Sequence, residues 1–368
     1  MAIRLSFDSV EDYAAKPDRR FTLSKARHQL CAAGTHGFQL AGKQGVRFSP
    51  QINYQLDRRS HSKARLPNKS TVRTALRRAA TSSVDGLKRT QRINSVHSVD
   101  VFDGSHVFLN GQGSGGKAAL ALRLALSPVT IRYSVDDRHS FRREKILIIS
   151  FLYPFEYYDY LHKRLLTVLS REYSEIASNR MGGSRISVLH MYPGHLKPHN
   201  LYNRIEWQLE EAELKGDPYS CVIIDGIHNV FLQFPEIEKY SLFWPQIYSS
   251  LRSRSLTTIS THTTLALPYA SSDGRHSSAI DDRRSEPLRH ALIQKSDFQF
   301  EVDPWMSSPF RANWDLSPVE TLKYSNMFLF KVVSSLDQRL PTGFLLWNRE
   351  DHAFAEFPYL PATRANLF

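Results

Sequence analysis

Cysteines are scarce in this chain, with only Cys31 and Cys221 among its 368 residues. Two cysteines so far apart in sequence form neither a disulfide framework nor a zinc-binding pattern, which favours a reducing compartment such as the cytoplasm. Long apolar runs are also missing, since none approaches the roughly 18 residues that cross a bilayer. Arg4, Asp8 and Glu11 interrupt the N-terminus before a signal-peptide core can form. We therefore expect no membrane partner.

Acidic residues are rare in the first quarter of the chain. Residues 1–95 hold 19 Lys and Arg but 6 Asp and Glu, a net charge of +13, whereas the remainder holds 29 and 30, a net charge of −1. A basic arm on a neutral body favours nucleic acid or another polyanion as partner. A solvated tail and a protein-docking segment are the alternatives. The densest basic pairs, our candidate nucleic-acid contacts, are Arg58, Arg59, Arg77, Arg78, Lys88 and Arg89.

Hydrophobic periodicity is weak across residues 1–95, where polar and basic residues dominate from Gln51 to Arg92. This composition predicts a basic, partly disordered N-terminal extension. The spacing of Val72, Leu76 and Ala80 is compatible with a short helix over Lys69–Ala80.

From residue 96 onward, apolar runs of strand length alternate with helical patterns. The predicted strands are Val107–Leu109, Lys145–Phe151, Arg185–His190, Ser220–Asp225, Leu256–His262, Phe298–Val302, Met327–Val333 and Gly343–Asn348. The predicted helices are Ala118–Leu126, Pro154–Leu169, Asn200–Leu214 and Trp244–Leu251. The alternation predicts one α/β domain over 96–368, with a mostly parallel sheet flanked by helices and antiparallel strands at its C-terminal end. Residues 267–289, poor in apolar side chains, are expected to form a mobile loop or an insertion.

The first predicted strand leads into a glycine-rich turn and then a helix. This turn fits the phosphate-binding pattern G-x-x-x-x-G-K-[ST] in every position but the last, where Ala118 stands. Glycines let backbone N–H groups surround phosphates, and a lysine reaches the β- and γ-phosphates. A glycine-rich turn with no ligand is the alternative. The candidate nucleotide-binding residues are Gly111, Gly113, Ser114, Gly115, Gly116, Lys117 and Ala118.

A second candidate follows the apolar run Val222–Ile224, which ends in Asp225. In phosphate-loop proteins, an acid at the end of such a strand lies beside Mg²⁺, usually through water. We therefore expect Asp225 near the phosphates, with a helix-capping or loop aspartate as the alternative.

Residues from about 100 to 350 resemble the KaiC/RadA branch of the RecA-like ATPases. The resemblance lies in Asp103–Gly111 with the phosphate loop, Ile146–Phe151, Val222–Asp225 and Leu256–His262, and in the pair Phe328–Val333 and Gly343–Trp347. It implies a RecA-like core that binds ATP or ADP, with Mg²⁺ weakened by Ala118, and that acts as a homo- or hetero-oligomer.

Two departures from this family fall on hydrolysis. The strand over 145–151 normally ends there in one or two glutamates that polarise the attacking water, but Leu152 and Tyr153 follow it here, and Glu156 comes a turn later. Ala118 also lacks the hydroxyl that binds Mg²⁺. Loss of a general base commonly costs about 10²–10⁴ in rate. The sequence thus predicts an impaired ATPase, with Glu156 as the one candidate catalytic residue.

Several histidines and aromatic residues allow more than one interpretation. His262 should end the strand beside Asp225, either as a γ-phosphate or subunit contact or as an ordinary hydrogen-bonded histidine. The prolines between the neighbouring histidines disfavour a metal site at His190, His195 and His199. An aromatic run can stack on bases or pack in a helix or subunit interface. Its members are Tyr153, Phe155, Tyr157, Tyr158 and Tyr160.

Three functional hypotheses follow. The first is a nucleotide-binding structural or regulatory subunit of a DNA-processing, mobile-element or defence assembly, with weak or absent hydrolysis. The second is an active DNA-dependent ATPase that Glu156 or a neighbouring subunit completes. The third is a non-enzymatic adaptor with a vestigial pocket.

Overall fold

A computed structural model describes most of the α/β region and the backbone of strands that precede it. The described residues are 2–7, 19–25, 34–40, 46–49, 68–77, 98–111, 116–127, 129–131, 144–172, 184–191, 198–230, 234, 237, 243–264, 288–290, 292–304, 327–335, 344–348 and 353–355.

Within these residues we number the strands and α-helices in chain order. The strands are β1 Ala2–Phe7, β2 Arg19–Lys25, β3 Gly34–Leu40, β4 Val46–Ser49, β5 Asn68–Arg77, β6 Ser98–Asp103, β7 His106–Asn110, β8 Val129–Ile131, β9 Lys145–Ser150, β10 Arg185–His190, β11 Cys221–Asp225, β12 Thr257–Thr261, β13 Phe298–Pro304, β14 Met327–Ser335, β15 Phe344–Asn348 and β16 Ala353–Ala355. The helices are α1 Lys117–Leu126, α2 Phe155–Glu172, α3 Pro198–Leu214 and α4 Phe243–Ser253.

A nine-stranded sheet forms the centre of the molecule, in the order β10-β9-β11-β12-β7-β13-β14-β15-β16. The strands from β10 to β13 run parallel to one another. From β13 to β16 the pairing is antiparallel. The predicted α/β architecture, with a mostly parallel sheet and C-terminal antiparallel strands, is confirmed.

Strands β7, β9 and β11 are buried on both faces, which explains their nearly continuous apolar runs. Alternate residues serve opposite faces, so Ile146 and Ile148 of β9 join one core, while Leu147 and Ile149 join the other. Helices α1 and α2 cover the first face, and α3 and α4 cover the second. Because these helices follow β7, β9, β10 and β11 in turn, the connections diverge at the carboxyl edge of the sheet, where α/β proteins bind ligands.

Two smaller antiparallel sheets come largely from the N-terminal region. Strands β1 to β4 form one of them, in sequence order, and β5 lies between β6 and β8 in the other. The short helix expected over Lys69–Ala80 is wrong, because Asn68–Arg77 forms β5 instead. Its residues Thr71–Arg73 pair with β8 on one side, and the strand pairs with β6 on the other. Pairing with β6 and β8 thus outweighs the helical spacing of the three apolar residues. The β-branched side chains of this segment also favour a strand over a helix.

The mobile loop predicted over 267–289 lies mostly outside the described residues, which resume at Leu288, a buried side chain. In the parts of the chain that the structure describes, no helix is both long and apolar enough to span a membrane.

Candidate nucleotide site at the carboxyl edge of the sheet

The turn between β7 and α1 begins with a glycine that no other residue can replace without strain. Gly111 has φ +150°, and a Cβ at this position would lie 1.9 Å from the carbonyl oxygen of Val302 on β13. Gly116, in the left-handed region, directly precedes α1 and receives the N–H of Leu120 on its carbonyl. Gly113, Ser114 and Gly115 lie outside the described residues.

The side chain of Lys117, the first residue of α1, extends back to the residue that follows β7. Its Nζ donates a hydrogen bond to the carbonyl oxygen of Gly111 at 3.1 Å, and the side chain is 5% exposed. Burial lowers the pKa of Lys117 to about 8, although the carboxylates of Asp225 and Asp303 act in the opposite direction. The Lys117 ammonium is therefore bonded to the Gly111 carbonyl and lies close enough to both carboxylates for their charges to act on it.

Asp225 ends β11 where the sequence predicts it, and its carboxylate has two hydroxyl partners. Thr261 of β12 donates to Oδ1 and Tyr158 of α2 donates to Oδ2, each at 2.5 Å. The side chain of Asp225 is 1% exposed. Burial raises the pKa of this carboxyl, while the two hydroxyls and Lys117 lower it. Asp225 thus lies close enough to Lys117 for their charges to interact.

Tyr158 reaches Asp225 because a tight turn after β9 fixes the start of α2. Ser150 Oγ accepts the N–H groups of Leu152 at 3.2 Å and Tyr153 at 2.9 Å, and it donates to the Tyr153 carbonyl at 2.7 Å. The Tyr158 hydroxyl lies 3.0 Å from the same Ser150 Oγ. Burial, and then the neighbouring Asp225, raise the pKa of Tyr158, so its hydroxyl keeps its proton and acts as a donor.

The residues at the expected water-activating positions face different surroundings. Leu152 lies over Gly226, where a Cβ would come 2.4 Å from the leucine Cγ. Leu152 thus places an apolar side chain beside the end of β11. Glu156 is exposed in the first turn of α2, where its charge acts on His190 at the end of β10.

His262 follows β12, beside the strand of Asp225 as predicted, and takes part in a second polar group near Lys117. Its Nδ1 lies 3.1 Å from Asn110 Oδ1, which also accepts from Thr264 Oγ1 at 3.1 Å. Since an amide oxygen only accepts, Nδ1 carries the proton. His228 Nδ1 accepts the N–H of Thr263, and the two histidine rings lie 5.6 Å apart. Burial lowers the pKa of His262 to about 3 and that of His228 to about 4, so both rings are neutral.

The aromatic residues between positions 153 and 160 differ in how deeply they are buried. Tyr158 is buried, Tyr153 and Tyr157 lie half-buried with ring centroids 4.1 Å apart, and Phe155 and Tyr160 are 48% and 57% exposed. Tyr158 is the important residue that the sequence interpretation missed. It shares one helical stripe with Leu161, Leu165 and Leu169, at spacings of three, four and four residues, and this signal marks it as inward-facing.

The remaining predicted residues cannot be placed at the site. Arg58, Arg59, Arg78, Lys88 and Arg89 lie outside the described residues, as does His195. Arg77 ends β5, opposite Ser98 of β6. His199 lies in the first turn of α3.

The described residues fit a nucleotide phosphate but do not fit Mg²⁺. The phosphate has a buried ammonium at the start of a fully buried helix, next to a glycine with no room for a side chain. The metal would need hard oxygen ligands with open coordination positions. Ala118 offers no oxygen, both oxygens of Asp225 accept hydroxyl protons, and no group of three potential ligands occurs in the described part of the chain.

No protein-family model matches this chain, and no curated protein shows significant sequence similarity to it.

Proposed function

We propose that this chain is a RecA-like nucleotide-binding protein with weak or absent ATP hydrolysis, acting as a structural or regulatory subunit of a nucleic-acid-associated assembly. The observation that carries the proposal is Lys117, buried at the start of α1 and held 3.1 Å from the Gly111 carbonyl at the carboxyl edge of a parallel sheet. The order of β11, β12 and β7, with Asp225 and Lys117 separated by one strand, supports the same assignment.

Three residues support the proposal that hydrolysis is weak or absent. Ala118 has no hydroxyl for a metal, and Leu152 covers Gly226 with an apolar side chain. Glu156 is exposed and interacts with His190. This arrangement favours binding without turnover over the alternative of an active DNA-dependent ATPase. Measurement of phosphate release with and without DNA separates the two, because the alternative requires DNA-stimulated turnover at about 1 s⁻¹ or above.

Calorimetric titration with ADP and ATP tests nucleotide binding. Lys117→Ala removes the buried ammonium and should weaken the affinity by about tenfold or more. Lys215→Ala is the matched control, because Lys215 is 68% exposed, pairs with Glu211 and precedes β11 at the opposite edge of the sheet. Absence of wild-type binding at millimolar nucleotide would reject the nucleotide-binding assignment and favour an adaptor with a vestigial pocket.

The basic residues before the α/β domain support a polyanion partner. Deleting residues 1–95 is a poor test, because it would remove β5, which pairs with β6 and β8 and contacts α1. Serine substitutions at Arg58, Arg59, Lys88 and Arg89 leave the described strands intact. They should weaken binding to single- and double-stranded DNA, and reduce its salt dependence, without changing ADP affinity. Unchanged DNA affinity would favour protein docking as the role of these residues.

A further inference from the structure

The carboxylate of Asp225 accepts hydrogen bonds from two protein hydroxyls and also interacts with the backbone N–H of Gly226. Thr261 occupies Oδ1 and Tyr158 occupies Oδ2, each at 2.5 Å, and Asp225 and Tyr158 are both 1% exposed. A carboxylate that positions Mg²⁺ through water must instead present an oxygen to that water. In this protein the Tyr158 hydroxyl donates a hydrogen bond to Oδ2 of Asp225.

Tyr158 is held in this place from several sides. Its hydroxyl lies 3.0 Å from Ser150 Oγ, and its ring makes edge-to-face contacts with Tyr157 at 5.4 Å and Tyr153 at 6.3 Å. The Ser150 hydroxyl is itself fixed by the turn that it caps. Removal of the tyrosine from Asp225 would therefore also break its contacts with Ser150, Tyr153 and Tyr157.

Besides Asp225, Asp303 is a described carboxylate whose charge acts on Lys117, and Ala118 contributes no oxygen to a metal beside that lysine. Mg²⁺ also demands near-octahedral oxygen coordination and keeps several waters, for which a fully buried, hydroxyl-paired carboxylate leaves no room.

Resting on the proposed function, we infer that the site binds the metal-free form of a nucleoside di- or triphosphate, and that Tyr158 is the positioning residue that closes the metal site at Asp225. Lys117 supplies the positive charge to the phosphates. Nucleotide in complex with Mg²⁺ is then the poorer ligand, since the metal partly neutralises its phosphate charge and finds both oxygens of Asp225 bonded to hydroxyls.

Calorimetry with ADP in excess EDTA and in excess MgCl₂ tests this inference. We expect the affinity in EDTA to equal or exceed the affinity in Mg²⁺. A wild-type affinity about tenfold or more tighter in Mg²⁺ would overturn the inference while leaving the proposed function intact. Binding in neither buffer would overturn both.

Two variants show whether Tyr158 is responsible. Tyr158→Phe combined with Ala118→Thr frees Asp225 Oδ2 and adds a metal-binding oxygen, so ADP binding should become tighter in Mg²⁺ than in EDTA. Tyr157→Phe combined with Ala118→Thr is the matched control, because it removes the neighbouring hydroxyl instead, and it should keep the wild-type preference. Melting temperatures of all variants verify folding. A Tyr158 variant that folds, binds ADP and keeps the wild-type preference would reject Tyr158 as the closing residue.

Discussion

At the scale of single residues, the pKa of Lys117 should link the proposed nucleotide binding to pH. Burial lowers this pKa to about 8, and bound phosphates require the charged ammonium. As pH rises above 8 the free protein loses this charge, while the nucleotide phosphates are already fully ionised. We predict that ADP affinity falls from pH 7 to 9.5, approaching about tenfold per pH unit at the alkaline end. Calorimetry across this range measures the effect. A flat profile would show that Lys117 does not contact the ligand.

Gly111 is a second residue with a measurable consequence. A methyl group there would lie 1.9 Å from the Val302 carbonyl oxygen. Gly111→Ala should therefore lower the free energy of unfolding by about 2 kcal/mol or more, through both the clash and the backbone strain. Gly216→Ala is the control, because Gly216 also has positive φ but has open space around it. Urea denaturation compares the two, and equal losses of stability would contradict the close approach of β7 and β13.

At the scale of elements, the start of α1 and the turn after β9 carry the defects on which the proposal of slow hydrolysis rests. Ala118→Thr adds a metal-binding hydroxyl, and Leu152→Glu or Tyr153→Glu adds a carboxylate near the end of β11. The position of Tyr158 makes Tyr158→Phe a necessary third change, since Asp225 is otherwise occupied. We predict that the triple variant hydrolyses ATP about tenfold or more faster than wild type.

A phosphate-release assay measures this gain, and Leu152→Gln in place of Leu152→Glu is the control without a carboxylate. Each single change should leave turnover near the wild-type level, because the other defects remain. Wild-type turnover at about 1 s⁻¹ or above would show that other groups replace the missing ones.

The elements differ in how well the sequence predicts them, for physical reasons. Arg185–His190 forms a strand with the predicted ends, and the apolar runs of β9 and β11 permit few other structures once they are buried on both faces. The spacing over Lys69–Ala80 is compatible with a short helix, but pairing with two distant strands makes Asn68–Arg77 a strand.

The residues of the candidate site also differ in how well the sequence predicts them. The phosphate-loop motif depends on local backbone geometry, so Gly111 and Lys117 are recognisable from sequence alone. The contact between Tyr158 and Asp225 joins residues 67 positions apart. One tyrosine among several in the aromatic run becomes distinctive only when the parallel pairing of β9 and β11 brings the end of β11 beside α2.

At the scale of the whole molecule, buried histidines should make the fold sensitive to acid. Burial lowers the pKa of His106 and His262 to about 3 and that of His228 to about 4, from an ordinary value of 6.5. The unfolded chain therefore takes up these protons first, so the stabilisation is present above pH 6.5 and is lost as pH falls toward 4. Each histidine should contribute about 1 kcal/mol or more to the loss between pH 6.5 and 5.

Urea denaturation at pH 7.5, 6 and 5 measures this loss. The raised pKa values of Asp225 and Asp297 act in the opposite direction, because the folded state takes up their protons first. The decisive comparison is therefore His106→Gln, which should have a shallower pH dependence than wild type, with His290→Gln, an exposed position, as control. Identical pH slopes for the three proteins would contradict the role of burial.

The position of β7 inside the sheet has a consequence for biosynthesis. Val107 pairs with Ile259 and with Phe298, residues that leave the ribosome long after it. Because a chain emerges from the ribosome N-terminal end first, β7 has neither of its neighbouring strands, β12 and β13, during most of translation. A nascent chain that stops before Val302 lacks the carbonyl against which Gly111 packs. Ligand binding stabilises only molecules that have the finished site. The nucleotide would then distinguish complete chains from truncated ones, and would help the former to escape degradation.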